Sequence, residues 1–147
     1  MENGHGGTEA GAQIAHANGR SYRRPRKPVA VICFDGCDPT YIEHGLEVGL
    51  LPAISRVMEH GFHTIADAAM PTFTNPNNMS IVAGAPPVVH GISGNYYLDR
   101  ATGREIMITD DSLVLSSTVL SELSKIGVRV AAITAKDKLR KMLGSGL

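Results

Sequence analysis

An unbroken apolar run, VAVICF at 29–34, ends on Asp35-Gly36, and no other stretch limits the fold as much. Strict alternation would suit a strand wetted on one face. A continuous run suits a strand buried on both faces, as in a parallel sheet covered by helices. Val128 to Thr134 is a second run of this kind, and Phe62 to Ala69, with partial alternation, reads as a further strand. Helical spacing fills the intervals. Tyr41, Ile42 and Leu46 form one inward face, and Leu51, Ile54, Val57 and Met58 a second, stopped by Gly61. Met79, Ile81, Val82 and Ala83 form a third, stopped by Gly84 and Pro86. Val119, Leu120, Leu123 and Ile126 form a fourth, capped by Ser116 or Ser117 and ended by Gly127. Tyr96 to Leu98 and Glu105 to Thr109 flank a Gly-containing turn at 99–103 and read as a hairpin. The order β, α, β, α, hairpin, α, β, α predicts an α/β fold, a mostly parallel sheet flanked by helices.

The 147 residues suffice for one modest domain. Fourteen Lys and Arg balance fourteen Asp and Glu, so bulk charge points to no nucleic-acid partner. No apolar stretch approaches membrane-spanning length, and the N-terminus lacks a hydrophobic signal core. The two cysteines, Cys33 and Cys37, are spaced C-x-x-x-C, which is neither a disulfide framework nor a zinc knuckle. Reduced thiols in a cytoplasmic setting are the simpler reading. Residues 1–27, rich in Gly and Ala and ending in SYRRPRKP, read as a flexible polar and basic leader. It is either a solvated arm or a contact for an anionic partner. His5 and His16 in it, and His44 and His60 on the first helices, read as solvent groups.

Chemistry concentrates at strand ends and helix starts. Ligands of open α/β sheets bind beyond the carboxyl ends of strands, so Asp35 can hold a cation; a turn or capping role is the alternative. Asp38, in DPT, reads as a cap. In MPTFTNPNN, at 70–78, Asn75 reads as an N-cap and Pro76 as the first helical residue, with Thr74 just before the helix. Free amides and roughly half a positive charge would then face the Thr74 hydroxyl, a seat suited to a phosphoryl group. Plain capping is the competing account. Lys136 and Lys138 in AKDKLRKMLG begin the last helix, as a solvated start or as anion contacts.

VICFDGCDPTYI, PTFTNPNNMSIVAGAPPVVHGISGN and VAAITAKDKLRKMLG together resemble the phosphonoacetate hydrolases of the alkaline phosphatase superfamily, over about Asn18 to Leu147. The nucleotide pyrophosphatase/phosphodiesterases have a similar Thr segment and Gly-x-x-Pro-x-x-His-Gly stretch. Asn77-Asn78 and the paired lysines favour the former. The resemblance implies a two-zinc hydrolase of a small-molecule phosphonate. In it Asp35 is a metal ligand, and Thr74 is both metal ligand and nucleophile. Asn95, Lys136 and Lys138 contact the substrate. His90, in the GxxPxxHG loop, reads as a brace rather than a ligand.

On this reading residues 28–147 are the N-terminal part of an alkaline-phosphatase-type metallohydrolase domain. The sheet is incomplete in this chain, which is a truncated version with further metal ligands expected beyond Leu147. The expected reaction is hydrolysis of the C–P bond of phosphonoacetate to acetate and phosphate through a phosphothreonine. A homodimer is left open. The alternatives are a phosphodiesterase or phosphatase of the same superfamily, and a non-catalytic fragment that binds an anion or a partner.

Overall fold

The computed structural model describes residues 13–147. The first twelve residues of the expected leader, His5 among them, lie outside the described residues. The chain divides into two units: a larger one made of the residues through Pro28 and Ala69–Leu147, and a smaller one, Val29–Ala68.

The larger unit begins with a hairpin where a flexible leader was expected. Strands β1 (Ile14–Ala17) and β2 (Arg20–Arg23) pair antiparallel, Ile14 opposite Arg23 and Ala17 opposite Arg20. Asn18-Gly19 forms the turn with φ of 50° and 78°, the Asn-Gly pattern that matches strand twist. Ala15 and Ala17 are buried, and β1 packs on α5 (Val119–Lys125). The Asn18 amide donates to Ala83 O at 2.8 Å and to Ser117 O at 3.0 Å. Two small apolar side chains and a bidentate amide therefore hold a stretch whose composition reads as mobile. His16 is exposed, as expected, with Nδ1 3.1 Å from the Ser21 hydroxyl.

Helix α3 (Thr74–Ala83) is central to this unit. It is followed by the short α4 (Pro87–His90) and by the hairpin β3 (Tyr96–Asp99) and β4 (Arg104–Met107), with Tyr96 opposite Met107. Gly84 ends α3 at φ 60°, the left-handed conformation that glycine adopts most cheaply. Helix α5 is capped by Thr118, one residue beyond the expected serines. Ser121 N–H donates to Thr118 Oγ1 at 3.0 Å, and Thr118 N–H donates back to Ser121 Oγ at 3.2 Å. Helix α6 (Asp137–Leu143) closes the unit. Met79 of α3, Ile92, Ile108, and Leu139, Met142 and Leu143 of α6 make one buried cluster.

In the smaller unit, α1 (Pro39–Glu47) and α2 (Pro52–His60) lie where helical spacing put them. Asp38 caps α1, its Oδ1 accepting from Thr40 N–H at 2.9 Å and from the Thr40 hydroxyl at 2.7 Å. Both bonds favour the carboxylate and hold its pKa below the ordinary value. His44 and His60 are exposed, as expected. Tyr41, expected inward, is exposed, while Ile42 and Leu46 are half-buried.

The expected parallel sheet is not present among the described residues. Residues 29–34, 62–69 and 128–134 belong to no helix or ladder, and the described strands form only two antiparallel hairpins. A strand is a relation between neighbours, and a parallel one is stable when both edges and both faces are covered. Here Val31 is 80% exposed and Ile133 94%. These runs have the composition of buried strands but none is covered on both faces; in 128–134 only alternate residues are half-buried, Ala132 against the Met79 cluster. Among the described residues no helix is long and apolar enough to cross a membrane.

Asn18→Ala is expected to destabilise the larger unit by about 2 kcal/mol, from two lost hydrogen bonds and from alanine's poorer tolerance of the left-handed region. Urea unfolding followed by far-UV circular dichroism checks this, and Asn18→Gly should recover the conformational part.

Candidate functional site

Thr74 is itself the first residue of α3, and Phe73, extended at φ −80° and ψ 155°, is the N-cap. The expected frame is therefore shifted by two: Asn75 is not the cap, and Pro76 is the third helical residue. Pro76 still costs no hydrogen bond, because the amides of the first helical turn have no intrahelical partner. The capping work comes from elsewhere. Asn95, in the loop before β3, accepts the Asn75 backbone N–H on its side-chain Oδ1 at 3.3 Å. The Asn75 side chain turns inward, is fully buried, and donates from Nδ2 to Ile108 O at 3.4 Å. Its Oδ1 has no hydrogen-bond partner in the structure. Ile108 N–H donates to Asn95 O at 2.9 Å, which closes the link between the hairpin and the start of α3.

The approach to Thr74 is held by Asn77. Its Oδ1 accepts from Ala69 N–H at 2.8 Å, and its Nδ2 donates to Ala69 O and to Phe73 O, each at 3.1 Å. The amide thus satisfies both backbone groups of Ala69, as a neighbouring strand would. Asn78 Nδ2 donates to Thr74 O at 2.9 Å. The sequence reading used Asn77 and Asn78 only as marks of resemblance. An asparagine one helical turn beyond the loop it holds is the signal that could have exposed the clamp.

His90 is a brace, as expected, and a fully buried one. Its Nδ1 accepts from Ile92 N–H at 3.2 Å, so the ring proton sits on Nε2, 3.0 Å from the Ser80 hydroxyl on α3. Burial pushes its pKa below the usual 6.5. Gly91 adopts φ 84°, and a Cβ there would lie 2.7 Å from Leu113 O, so the turn after His90 needs glycine.

Lys136 is the N-cap residue of α6 and is exposed; Lys138 stands two residues on and is half-buried. Between them Asp137 pairs with Arg140, Oδ1 to Nη2 at 2.9 Å. Lys136, Asp137 and Lys138 thus stand together at the start of α6. Asp35 is exposed and follows the apolar 29–34 run in the smaller unit, whereas Thr74, Asn95, Lys136 and Lys138 belong to the larger. Among these, the structure joins the Thr74 helix start to Asn95.

A catalytic zinc normally takes three protein ligands. Among the described residues no three His, Cys, Asp or Glu side chains come together to hold a metal ion. The described residues alone do not make the two-zinc site that the resemblance implies. What they make is a helix start at Thr74, with Asn77 holding the backbone that leads into it and Asn95 accepting the Asn75 amide.

The sequence model of type I phosphodiesterase / nucleotide pyrophosphatase matches residues 29–139. An uncharacterized pyrophosphatase/phosphodiesterase of Schizosaccharomyces pombe is 33% identical over 79 residues, which are 54% of this chain and 16% of that protein. The solved phosphonoacetate hydrolase of Sinorhizobium meliloti 1021 in complex with phosphonoformate is 45% identical, with a TM-score of 0.88. The same hydrolase in complex with phosphonoacetate aligns at 44% identity and TM-score 0.88. Each alignment covers 92% of this chain and 33% of the hydrolase, so the chain spans about a third of its length. The alkaline-phosphatase-like path is therefore shared, although the apolar runs are unpaired here.

The depressed His90 pKa sets a pH dependence. The unfolded chain takes up a proton near pH 6.5 and the folded chain only at lower pH. Stability should therefore be level above that pH and fall below it, by at most about 1.4 kcal/mol per pH unit. Urea midpoints between pH 5 and 8 check this, and His90→Asn should flatten that part of the profile.

Proposed function

We propose that this chain, which belongs to the type I phosphodiesterase / nucleotide pyrophosphatase family, carries the nucleophile and the substrate contacts of a phosphonoacetate hydrolase. The observation that carries this reading is the 44% identity, across 92% of the chain, to a hydrolase solved with phosphonoacetate bound. Residues 28–147 then form the N-terminal part of the metallohydrolase domain.

In this mechanism the Thr74 Oγ gives up its proton to solvent and attacks phosphorus. A phosphothreonine forms, and the C–P electron pair leaves with carbon. That pair is tolerable on carbon only because the adjacent carboxylate accepts it as an enolate, which takes a proton to become acetate. Water then cleaves the phosphothreonine and releases phosphate. Asn95 has its oxygen engaged by the Asn75 amide. Its Nδ2 hydrogens are what it can offer a phosphonate oxygen as charge builds there. Lys136 and Lys138 neutralise the carboxylate and the enolate, and so select a substrate that has a carboxyl group. The clamped loop and the Asn95 tether hold the backbone that bears Thr74 before substrate arrives, and such positioning is itself a large part of a rate enhancement.

Two zinc ions, with Asp35 and Thr74 among their ligands, belong to this proposal for the complete enzyme. The free, exposed Cys33 and Cys37 fit a cytoplasmic setting. A phosphodiesterase or phosphatase of the same superfamily is the second reading, favoured by the Schizosaccharomyces pombe relative.

A chimera in which this chain replaces the matched third of the Sinorhizobium meliloti hydrolase tests both. Thr74→Ala should cut phosphate release from phosphonoacetate by about a thousandfold or more. Lys136→Ala should cut it by about a hundredfold while cleavage of an aryl phosphate ester persists. Unchanged acetate production by Thr74→Ala overturns the mechanism. Equal loss on both substrates in Lys136→Ala favours the second reading.

A further inference from the structure

We propose that Asn75 is a positioning residue: its buried side chain sets how the Asn95 amide is held, and so how that amide meets a phosphonate oxygen. The inference rests on the reading of Asn95 as a substrate contact. The capping role expected of Asn75 falls to Phe73. The Asn75 side chain is instead fully buried. Its Nδ2 donates to Ile108 O at 3.4 Å, Ile108 N–H donates to Asn95 O at 2.9 Å, and Asn75 N–H donates to Asn95 Oδ1 at 3.3 Å. These three bonds close a ring. Asn95 is gripped at its backbone carbonyl and at its side-chain oxygen, and both grips lead back to Asn75. The last torsion of an asparagine side chain is broad and roughly two-fold, so by itself it does not choose which end of the amide faces a ligand. Engaging Oδ1 makes that choice and leaves Nδ2 for the substrate.

Packing alone would not call for a polar side chain here. Asn75 Oδ1 is buried and has no hydrogen-bond partner among the described residues. A buried unpaired oxygen is unfavourable, and an apolar side chain of similar shape removes it. What the apolar side chain cannot do is direct a bond to Ile108 O. Ile108 lies in the buried cluster with Met79 and Ile92. Hydrophobic burial is non-directional, so that cluster places Ile108 without aiming the Asn95 amide. The Asn75 bond supplies the missing direction, from the helix that bears Thr74. A contact that strengthens as charge builds in the transition state acts on kcat more than on KM, so its misplacement should be felt there.

Asn75→Leu in the chimera with the Sinorhizobium meliloti hydrolase tests the proposal. The kcat for phosphonoacetate should fall about tenfold, with KM within about twofold of the parent chimera. In an Asn95→Ala background the same substitution should cost less than about twofold, because Asn75 acts through Asn95. An equal fall in both backgrounds overturns the proposal and makes Asn75 a packing residue. So does an unchanged kcat. Asn75→Ala runs the same cycle without the added bulk of leucine. A second readout needs no catalysis. In this chain alone, NMR relaxation of the Asn95 side-chain amide should show a rigid group that becomes mobile in Asn75→Leu and in Asn75→Ala, while the Asn77 amide stays rigid. An Asn95 amide that is mobile from the start, or that stays rigid in both variants, overturns the proposal. A parent chimera without phosphonoacetate turnover defeats the hydrolase reading, and the Asn95 relaxation then upholds or overturns the positioning by itself.

Discussion

The hydrogen bond from the Asn75 backbone to the Asn95 side chain, 3.3 Å long, joins two segments that twenty residues separate in sequence. Around it the larger unit closes. Ile108 N–H returns to Asn95 O, and Asn75 Nδ2 reaches Ile108 O. Beneath these contacts lie Met79, Ile92 and Met142, each fully buried. The polar tie fixes where α3 begins, and the apolar cluster fixes which way it faces. Burying an asparagine whose Oδ1 lacks a partner costs about 1–3 kcal/mol, a cost borne beside the one hydroxyl that the proposed chemistry uses.

Asn77 and His90 extend the same principle along α3. Asn77 gives Ala69 the two hydrogen bonds a neighbouring strand would give, so the loop into Thr74 is ordered without a sheet beside it. His90 ties the following loop to Ser80 through a neutral ring. Both act through polar groups aimed at backbone or hydroxyl partners, which is how an irregular loop is held. The smaller unit has the opposite character: its helices form, but nothing within it supplies a core.

Much of this was legible in the residues. Asp38 caps α1, Gly61 and Gly84 follow helices, the 96–107 hairpin turns through Gly103, and His90 braces its loop. Each depends on interactions within a few residues, where spacing carries the information. The α3 cap was misplaced because Asn75 has the right chemistry for a cap and the Asn95 that serves it lies far along the chain. The hairpin at 14–23 was read as mobile because composition does not register two alanines packing on α5. The grouping of Thr74 with Asn95 came from resemblance, and no local pattern would have paired them.

The sequence by itself determined most of the helices, their stops and the apolar character of the runs at 29–34, 62–69 and 128–134. Those properties reside in single residues and their near neighbours. The tertiary structure decided which asparagine meets which amide, where α3 starts, and whether an apolar run becomes a strand. Long-range hydrogen bonds and sheet pairing each need a second partner, and a residue's own type does not say whether that partner is within reach.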